Sequence, residues 1–386
     1  MERPKPTEPL LATPTSSTMP SILEEVSRNF SIRGAFVSGV SHGNGHINDT
    51  YAVTCEERGR RVRYILQRIN HRVFGNVPAL MENIQRVTQH AAARLATRPE
   101  TVAEGRQTLT VVPTREGAAY HRDAADSFWR CYDFVEQAST YDIVQSPAQA
   151  REAAYAFGIF QGLVSDLTGP RLHETIPNFH HTRRRFDTLC RAIAADSHGR
   201  AAAAQEEIAF ALSREHSVDV LLELHASGQV PERITHNDTK LNNVMLDDAT
   251  GRGVCVIDLD TVMPGLALYD FGDMVRSATN TVAEDERDLS RVQMSLPVFA
   301  ALVEGYLASA REFLNPAEIA HLAFSAELIT LEIGMRFLTD FLEGDVYFKT
   351  RRTHHNLDRC RCQFALLRSM EAQAVAMKRL VDRLAS

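Results

Sequence analysis

The strongest limit on the fold of this chain is a change in residue pattern at Gln137. Before that residue, short runs of β-branched and aromatic residues alternate with glycine-containing turns, which predicts a small antiparallel sheet. A segment from Pro78 to Val87 has helical spacing and adds one helix. After Gln137, alanine-rich segments with helical spacing dominate, and one predicted hairpin interrupts them. The predicted strands of the first part are Ala35 to Val37, Ile47 to Thr54, Val62 to Ile69, Leu109 to Val112 and Phe128 to Val135.

This order of elements predicts an α+β, bilobal, protein-kinase-like fold. A small antiparallel-sheet N-lobe would cover residues 21–138, and a larger, mostly helical C-lobe would cover residues 139–386. Residues 1–20 are rich in Pro, Ser and Thr and contain no apolar run, so we expect a disordered tail rather than an export signal.

Composition excludes several classes of partner. The formal net charge of -7 leaves no broad basic surface for nucleic acid or for an anionic membrane. The longest apolar stretch, Ala153 to Val164, is too short to span a bilayer. Six scattered cysteines favour reduced thiols and a cytoplasmic location. We therefore expect a cytoplasmic protein, monomeric, with a small-molecule partner.

The strongest chemical motif is THNDTKLNNVM, from Thr235 to Met245. His236, Asp238 and Asn243 reproduce the HxDxxxxN spacing of a kinase catalytic loop. Phosphoryl transfer needs a carboxylate that orients a hydroxyl and accepts its proton, and a nearby oxygen ligand for Mg²⁺. Asp238 and Asn243 suit these roles, and the alternative is a turn in which both side chains cap backbone donors.

The predicted hairpin supplies a third residue. Asn243 would begin one strand and Asp258 would end the strand that returns beside it, so both side chains would lie at one end as Mg²⁺ ligands. Lys240 would neutralise charge on the transferring phosphoryl group, unless it is a solvated surface lysine. The DFG sequence at Asp270 lies too far along the chain for the metal site. We expect Asp270 or Asp273 to accept backbone hydrogen bonds from the catalytic loop, or to cap a helix.

A glycine-containing turn in the first part suits phosphate binding. Gly43 and Gly45 lie at a predicted hairpin tip, where backbone amides can approach phosphates, and His46 follows them. A plain hairpin turn is the alternative, and there is no GxxxxGK[ST] motif. In YILQRIN, Gln67 stands where protein kinases carry a lysine, so we assign phosphate contact to Gln67 and a surface position to Arg68.

A single arginine, Arg336, interrupts an apolar helical segment near the C-terminus and must be paired. Glu332 and Asp340 lie four residues on either side, which makes an internal ion pair one interpretation. The other is a substrate contact made together with Tyr347.

Six motifs together resemble the bacterial N-acetylhexosamine 1-kinases, which belong to the aminoglycoside phosphotransferase and choline kinase group. They are GHIN from Gly45, YILQ from Tyr64, THNDTKLNN from Thr235, IDLDTVMPG from Ile257, DFGD from Asp270, and GMRFL with LEGDVYF around Arg336 and Tyr347.

The resemblance implies ATP- and Mg²⁺-dependent phosphorylation of the anomeric hydroxyl of N-acetylglucosamine or N-acetylgalactosamine. It implies Asp238 as the base, Asp258 as a metal ligand, and Arg336 and Tyr347 as sugar-site residues. We also assign Asn48 and Asp49 to the substrate. The N-lobe would then bind the nucleotide and the C-lobe the sugar.

One position departs from the group, because Ser277 stands where its members tend to carry an aromatic residue after Arg276. The alternatives are a kinase for another sugar, an amino alcohol or an aminoglycoside, and a nucleotide-binding pseudokinase.

Overall fold

A computed structural model describes residues 19–43, 47–97 and 107–386. It confirms the α+β, protein-kinase-like architecture, with an antiparallel sheet in the N-terminal region and a helical C-terminal region. The chain divides into two compact units, Met1–Met81 with Thr110–Phe134 and Glu82–Leu109 with Val135–Ser386. The predicted tail lies outside the described residues, except that Met19 and Pro20 already belong to the first helix.

The first unit is built on an antiparallel sheet with strand order β1-β2-β3-β6-β4, and β5 pairs with β6. Alternate residues of β2, including Val53 and Cys55, are buried and pack in one cluster with Leu23 and Trp129. The elements of the sheet and the helix beside it are α1 (Met19–Ser27), β1 (Ala35–Ser41), β2 (Asp49–Glu57), β3 (Arg60–Ile69), β4 (Val111–Val112), β5 (His121–Arg122) and β6 (Phe128–Asp133). Helix α2 (Val77–Ala96) follows β3 in the chain.

The second unit is mostly helical and carries two small sheets, with strand orders β10-β9-β7 and β11-β8. Its helices are α3 (Pro147–Val164), α4 (Thr182–Ala195), α5 (Gln205–Leu212), α6 (Val220–Ala226), α7 (Ala267–Thr279), α8 (Leu296–Ala310), α9 (Pro316–Ala320), α10 (Leu322–Leu342) and α11 (His355–Ala385). Its strands are β7 (Ala138–Ser139), β8 (Arg233–Thr235), β9 (Val244–Asp247), β10 (Gly253–Val256) and β11 (Met263–Gly265).

A close helix contact places α7 beside α10. A Cβ atom added to Gly272 would lie 2.4 Å from the backbone oxygen of Ser325, so only glycine allows the two helices to approach this closely. The glycine of the DFG sequence is therefore explained by packing.

The structure bears on two features predicted from the sequence, the state of the cysteines and the absence of a membrane-spanning stretch. All six cysteines are free thiols, and five of them are buried. Within the described ranges, no helix is both long enough and apolar enough to cross a membrane.

Candidate active site

The catalytic-loop motif lies between β8 and β9, and Asp270 holds it from α7. Asp270 is fully buried, and its two carboxylate oxygens accept the backbone N–H groups of His236 (2.9 Å) and Asn237 (2.7 Å). Burial raises the pKa of Asp270, although the donors of the loop oppose the shift. Of the two residues predicted to support the loop, Asp270 and Asp273, Asp270 is the one that accepts its backbone N–H groups.

His236 fixes the shape of the loop through both ring nitrogens. Its Nε2–H donates to the carbonyl of Ile257 at 2.9 Å, and its Nδ1 accepts the backbone N–H of Asp238 at 3.3 Å. Because the carbonyl can only accept, this arrangement selects the Nε2–H tautomer. Asn237, between the two residues, has a positive φ of 63°.

Asp238 and Lys240 form an ion pair with 2.7 Å between Oδ1 and Nζ. Burial is the largest single influence and would raise the pKa of Asp238. The Lys240 ammonium, with smaller help from His236 and Arg276, outweighs burial and holds this pKa below its usual range. The same attraction raises the pKa of Lys240. The Asp238 side chain is 28% exposed. An ionised carboxylate is therefore accessible at neutral pH.

Asn243 ends a short 3-10 turn directly before β9, and its side-chain amide anchors Asp238. Nδ2 donates to the backbone oxygen of Asp238 at 2.7 Å and to its Oδ2 at 3.1 Å. Both contacts use the amide nitrogen, so the amide oxygen is the atom that could ligate a metal. The sequence placed Asn243 at the start of the strand, whereas β9 begins one residue later.

Asp258 follows β10 and lies at the same end of the hairpin as Asn243. Val256 pairs with Val244, and the next N–H, of Ile257, donates to the carbonyl of Asn243 at 2.9 Å. Asp258 therefore lies just beyond the strand rather than at its last position. Its carboxylate is exposed, with a backbone φ of 59°, whereas Asp260 is buried. An amide oxygen and an exposed carboxylate are oxygen donors that fit Mg²⁺.

Farther along α7, Asp273 and Arg276 add a second charged pair. Arg276 is 4% exposed and lies 2.8 Å from Asp273 Oδ1 and 2.9 Å from Glu284. The other oxygen of Asp273 is buried and has no hydrogen-bond partner among the described residues. Asp273 also raises the pKa of Lys240, after the larger effect of Asp238. The charge of the Asp273 carboxylate therefore acts on Lys240, the partner of Asp238.

Arg336 lies among aromatic rings rather than in an ion pair with its helix neighbours. Its guanidinium is 4.9 Å from the ring centroid of Phe179 and about 6 Å from those of Tyr347 (5.9 Å) and Phe348 (5.7 Å). Tyr347 is 60% exposed. Arg336 and Tyr347 are thus brought together, as the sequence predicted.

The two carboxylates four residues from Arg336 are both engaged elsewhere. Glu332 contacts His180, and Asp340 accepts the backbone N–H groups of residues 346–348. No ion pair joins Arg336 to either carboxylate in the described part of the chain. The helix-neighbour interpretation was therefore wrong.

In the first unit, the residues assigned to nucleotide or substrate binding form hydrogen bonds and an ion pair with neighbouring side chains and backbone. Gln67 Nε2 donates to Thr50, and its Oε1 accepts from buried Arg130, each at 2.9 Å. Asn48 accepts the backbone N–H of Asn70, and Asp49 pairs with Arg68 at 2.5 Å.

The glycine-containing turn is described only in part. Gly43 has a positive φ of 74° with open space around its Cα, whereas Gly45 and His46 lie outside the described residues. The roles assigned to Gly43, Gly45, His46, Gln67, Asn48 and Asp49 stay predictions.

Sequence reasoning missed His180 and Arg130. Both are almost completely buried polar residues with partners far away in the chain. Arg130 is a lone charge in an aromatic and apolar run, a signal of burial that does not identify a partner. His180 stands beside His181 in a polar stretch and gives no such signal.

Comparison with known proteins assigns the class. The phosphotransferase enzyme family (APH) matches residues 39–310, more than half of the chain and including the whole catalytic loop. The chain belongs to this family and is a small-molecule phosphotransferase.

Solved structures share the fold. The chain is similar to an aminoglycoside phosphotransferase from Alicyclobacillus acidocaldarius, with 14% identity, coverage of 98% of both chains and a TM-score of 0.57. It is also similar to a microcompartment-associated aminopropanol kinase, with 16% identity, coverage of 93% of this chain and 98% of that one, and a TM-score of 0.54. A choline kinase from Cryptosporidium parvum has 12% identity, coverage of 92% and 96%, and a TM-score of 0.53.

Proposed function

We propose that this phosphotransferase transfers a phosphoryl group from ATP to the anomeric hydroxyl of an N-acetylhexosamine, N-acetylglucosamine or N-acetylgalactosamine. The observation that carries the proposal is the accessible Asp238 carboxylate, which is paired with Lys240 and anchored by Asn243, with Asp258 at the same end of the hairpin.

In this proposal Asp238 orients the acceptor hydroxyl and takes its proton. Its pKa lies below the usual range, so it is ionised at neutral pH and ready to accept. A hemiacetal hydroxyl is more acidic than an ordinary alcohol, which suits a carboxylate of low basicity. Bound ATP would donate its terminal phosphoryl group and leave as ADP. Asn243 and Asp258 would hold Mg²⁺, which would offset the negative charge of the phosphates. Lys240 adds a positive charge beside Asp238.

The nucleotide contacts are proposed for the first unit. Gly43 and Gly45 would offer backbone N–H groups to phosphates, with His46 beside them. The Gln67 side chain accepts a hydrogen bond from Arg130 on the neighbouring strand. We therefore assign the phosphate contact of Gln67 to the Gln67–Arg130 pair.

The proposed acceptor subsite around Arg336 and Tyr347 favours a neutral, oxygen-rich molecule. Burial first, and then Arg336, lower the pKa of Arg185, so two guanidinium groups lie close to each other. A cationic amino alcohol or aminoglycoside would be repelled there. Hydroxyl and acetamido oxygens can accept from Arg336, and the exposed ring of Tyr347 can pack on a sugar face.

The test is a screen of free hexoses, N-acetylhexosamines, amino alcohols and aminoglycosides with Mg-ATP, followed by ³¹P NMR of the product. We expect turnover of an N-acetylhexosamine and a phosphate at C1 that mild acid releases. A phosphate at a primary hydroxyl, or turnover of amines alone, would refute the sugar assignment. ATP binding without turnover of any acceptor would instead support a pseudokinase.

Lys240→Met is expected to shift the pH dependence of this reaction. The variant removes the main influence that lowers the pKa of Asp238, so this pKa rises. The protonated fraction of the base then grows at mildly acidic pH, and the acid limb of kcat/KM moves to higher pH. Activity should fall more at pH 6 than at pH 8.

Lys378→Met is the matched control, because Lys378 pairs with Asp382 on the surface. It should keep the wild-type profile. An acid limb that does not move in Lys240→Met would show that Lys240 does not control the ionisation of the base.

A further inference from the structure

His180 is a buried residue just before α4, and it contacts the catalytic loop. Its side chain is 3% exposed, and that of its partner Glu332 is 0% exposed. Nδ1 is 2.9 Å from Glu332 Oε1, and Nε2 is 3.3 Å from the backbone oxygen of Asn237. The ring therefore bridges α10 and the residue that precedes Asp238.

The partners of the ring fix its orientation. The carbonyl of Asn237 can only accept, so Nε2 carries a hydrogen and donates it. A second hydrogen bond joins Nδ1 to the carboxyl of Glu332, and a flipped ring would lose both contacts. The rings of Phe179 and Tyr269, with centroids 4.7 and 5.3 Å away, pack against the imidazole. Rotation of the ring would disrupt this packing.

Two successive turns of α10 hold two successive residues of this segment. Glu332 bonds to His180, and Arg336, four residues later on the helix, lies over the ring of Phe179. Arg185 of α4 also donates to the carbonyl of Phe179 at 2.8 Å. Phe179 and His180 are thus fixed by contacts with α4 and α10, in addition to the contact of His180 with the catalytic loop.

The peptide group between Asn237 and Asp238 is held by two histidines. Its carbonyl accepts from His180, and its N–H donates to Nδ1 of His236. The orientation of this peptide determines the direction in which the Asp238 side chain leaves the backbone. Asn237 has a positive φ, which non-glycine residues adopt only when their surroundings hold them there.

We propose that His180, held by Glu332, is a positioning residue that fixes the Asn237–Asp238 peptide and so aims the Asp238 carboxylate. This role rests on the proposed function of Asp238. It also links the base to the α10 turn that carries Arg336.

The kinetic test compares His180→Gln with His181→Gln, a control at the adjacent position. His181 caps α4, where its Nδ1 accepts the backbone N–H of Arg184 at 3.5 Å. We expect His180→Gln to lower kcat about 10- to 100-fold, as is typical for residues that orient a catalytic group. KM for ATP should stay within about twofold, and the control should match the wild type. Wild-type kcat in folded His180→Gln would overturn the proposal.

Glu332→Gln tests whether the two residues act as one unit. Alone it should lower kcat, because the ring loses its carboxylate partner. The double variant should be no slower than His180→Gln, since the contact is already absent. If the fold-loss in kcat of the double variant equalled the product of the two single fold-losses, the proposal would be overturned, because Glu332 would then act separately from His180.

The role of His180 can be tested without a substrate, and so independently of the catalytic role proposed for Asp238. In ¹⁵N-histidine-labelled protein we expect a ring N–H signal protected from solvent exchange, which is retained in His181→Gln and shifted in Glu332→Gln. A rapidly exchanging His180 ring would overturn the proposal, even if His180→Gln did not fold. Wild-type turnover by Asp238→Asn would refute the role of the base but leave this signal in place.

Discussion

Asp238→Asn is expected to lower kcat by about 10²- to 10⁴-fold, the range that a positioned general base contributes. Asparagine has nearly the same shape as aspartate, but its amide cannot take the proton of the acceptor hydroxyl. It also removes the negative partner of Lys240, which lies 2.7 Å away. Nucleotide affinity should change only a few-fold, because the substitution leaves Asn243 and Asp258 in place. Steady-state kinetics and calorimetric titration with Mg-ATP measure the two effects.

Asp248→Asn provides the matched control for Asp238→Asn. Asp248 lies in the exposed turn of the same hairpin, so its substitution removes an equal charge without touching the loop. We expect wild-type kcat from it. Equal turnover by wild type and Asp238→Asn would refute the assignment of the base.

Asp270→Ala is expected to reduce the free energy of unfolding by about 2–6 kcal/mol. The substitution leaves the buried N–H groups of His236 and Asn237 without their acceptors, and each such loss costs about 1–3 kcal/mol. Gln161, which donates to the same carboxylate, also loses its partner. Urea unfolding followed by circular dichroism measures the change.

Two further variants serve as comparisons for Asp270→Ala, one at the same position and one on the surface. Asp270→Asn keeps one side-chain oxygen and should lose less stability than alanine. Asp382→Ala removes an exposed carboxylate that pairs with Lys378 on the surface, and we expect a change of about 0–1 kcal/mol. An unfolding free energy for Asp270→Ala equal to that of the wild type would show that the loop does not depend on this carboxylate.

Local patterns predicted the catalytic hairpin well. The HxDxxxxN spacing and the turn residues lie within about two dozen positions, so their geometry follows from strand pairing and turn chemistry. Predicted positions differed by one or two residues, because Asn243 lies one residue before β9 and Asp258 lies two residues after β10. The longest apolar stretch begins at Ala153, but helix α3 begins earlier, at Pro147, with Ser146 as its cap. That start signal was present in the sequence.

The sequence by itself determined the fold class and the catalytic-loop spacing. It offered Asp270 or Asp273 as the support of the loop, with helix capping as the alternative, and the structure identifies Asp270. Tertiary structure alone decided the partners of the buried charges. Glu332 and Asp340 have the helix spacing to pair with Arg336, yet Glu332 bonds to His180, 152 positions away in the chain. Helix spacing tells which side chains are close enough to meet. Burial favours the contacts that form, because an unpaired buried donor or acceptor is costly and most such groups bond to whatever partner the fold supplies.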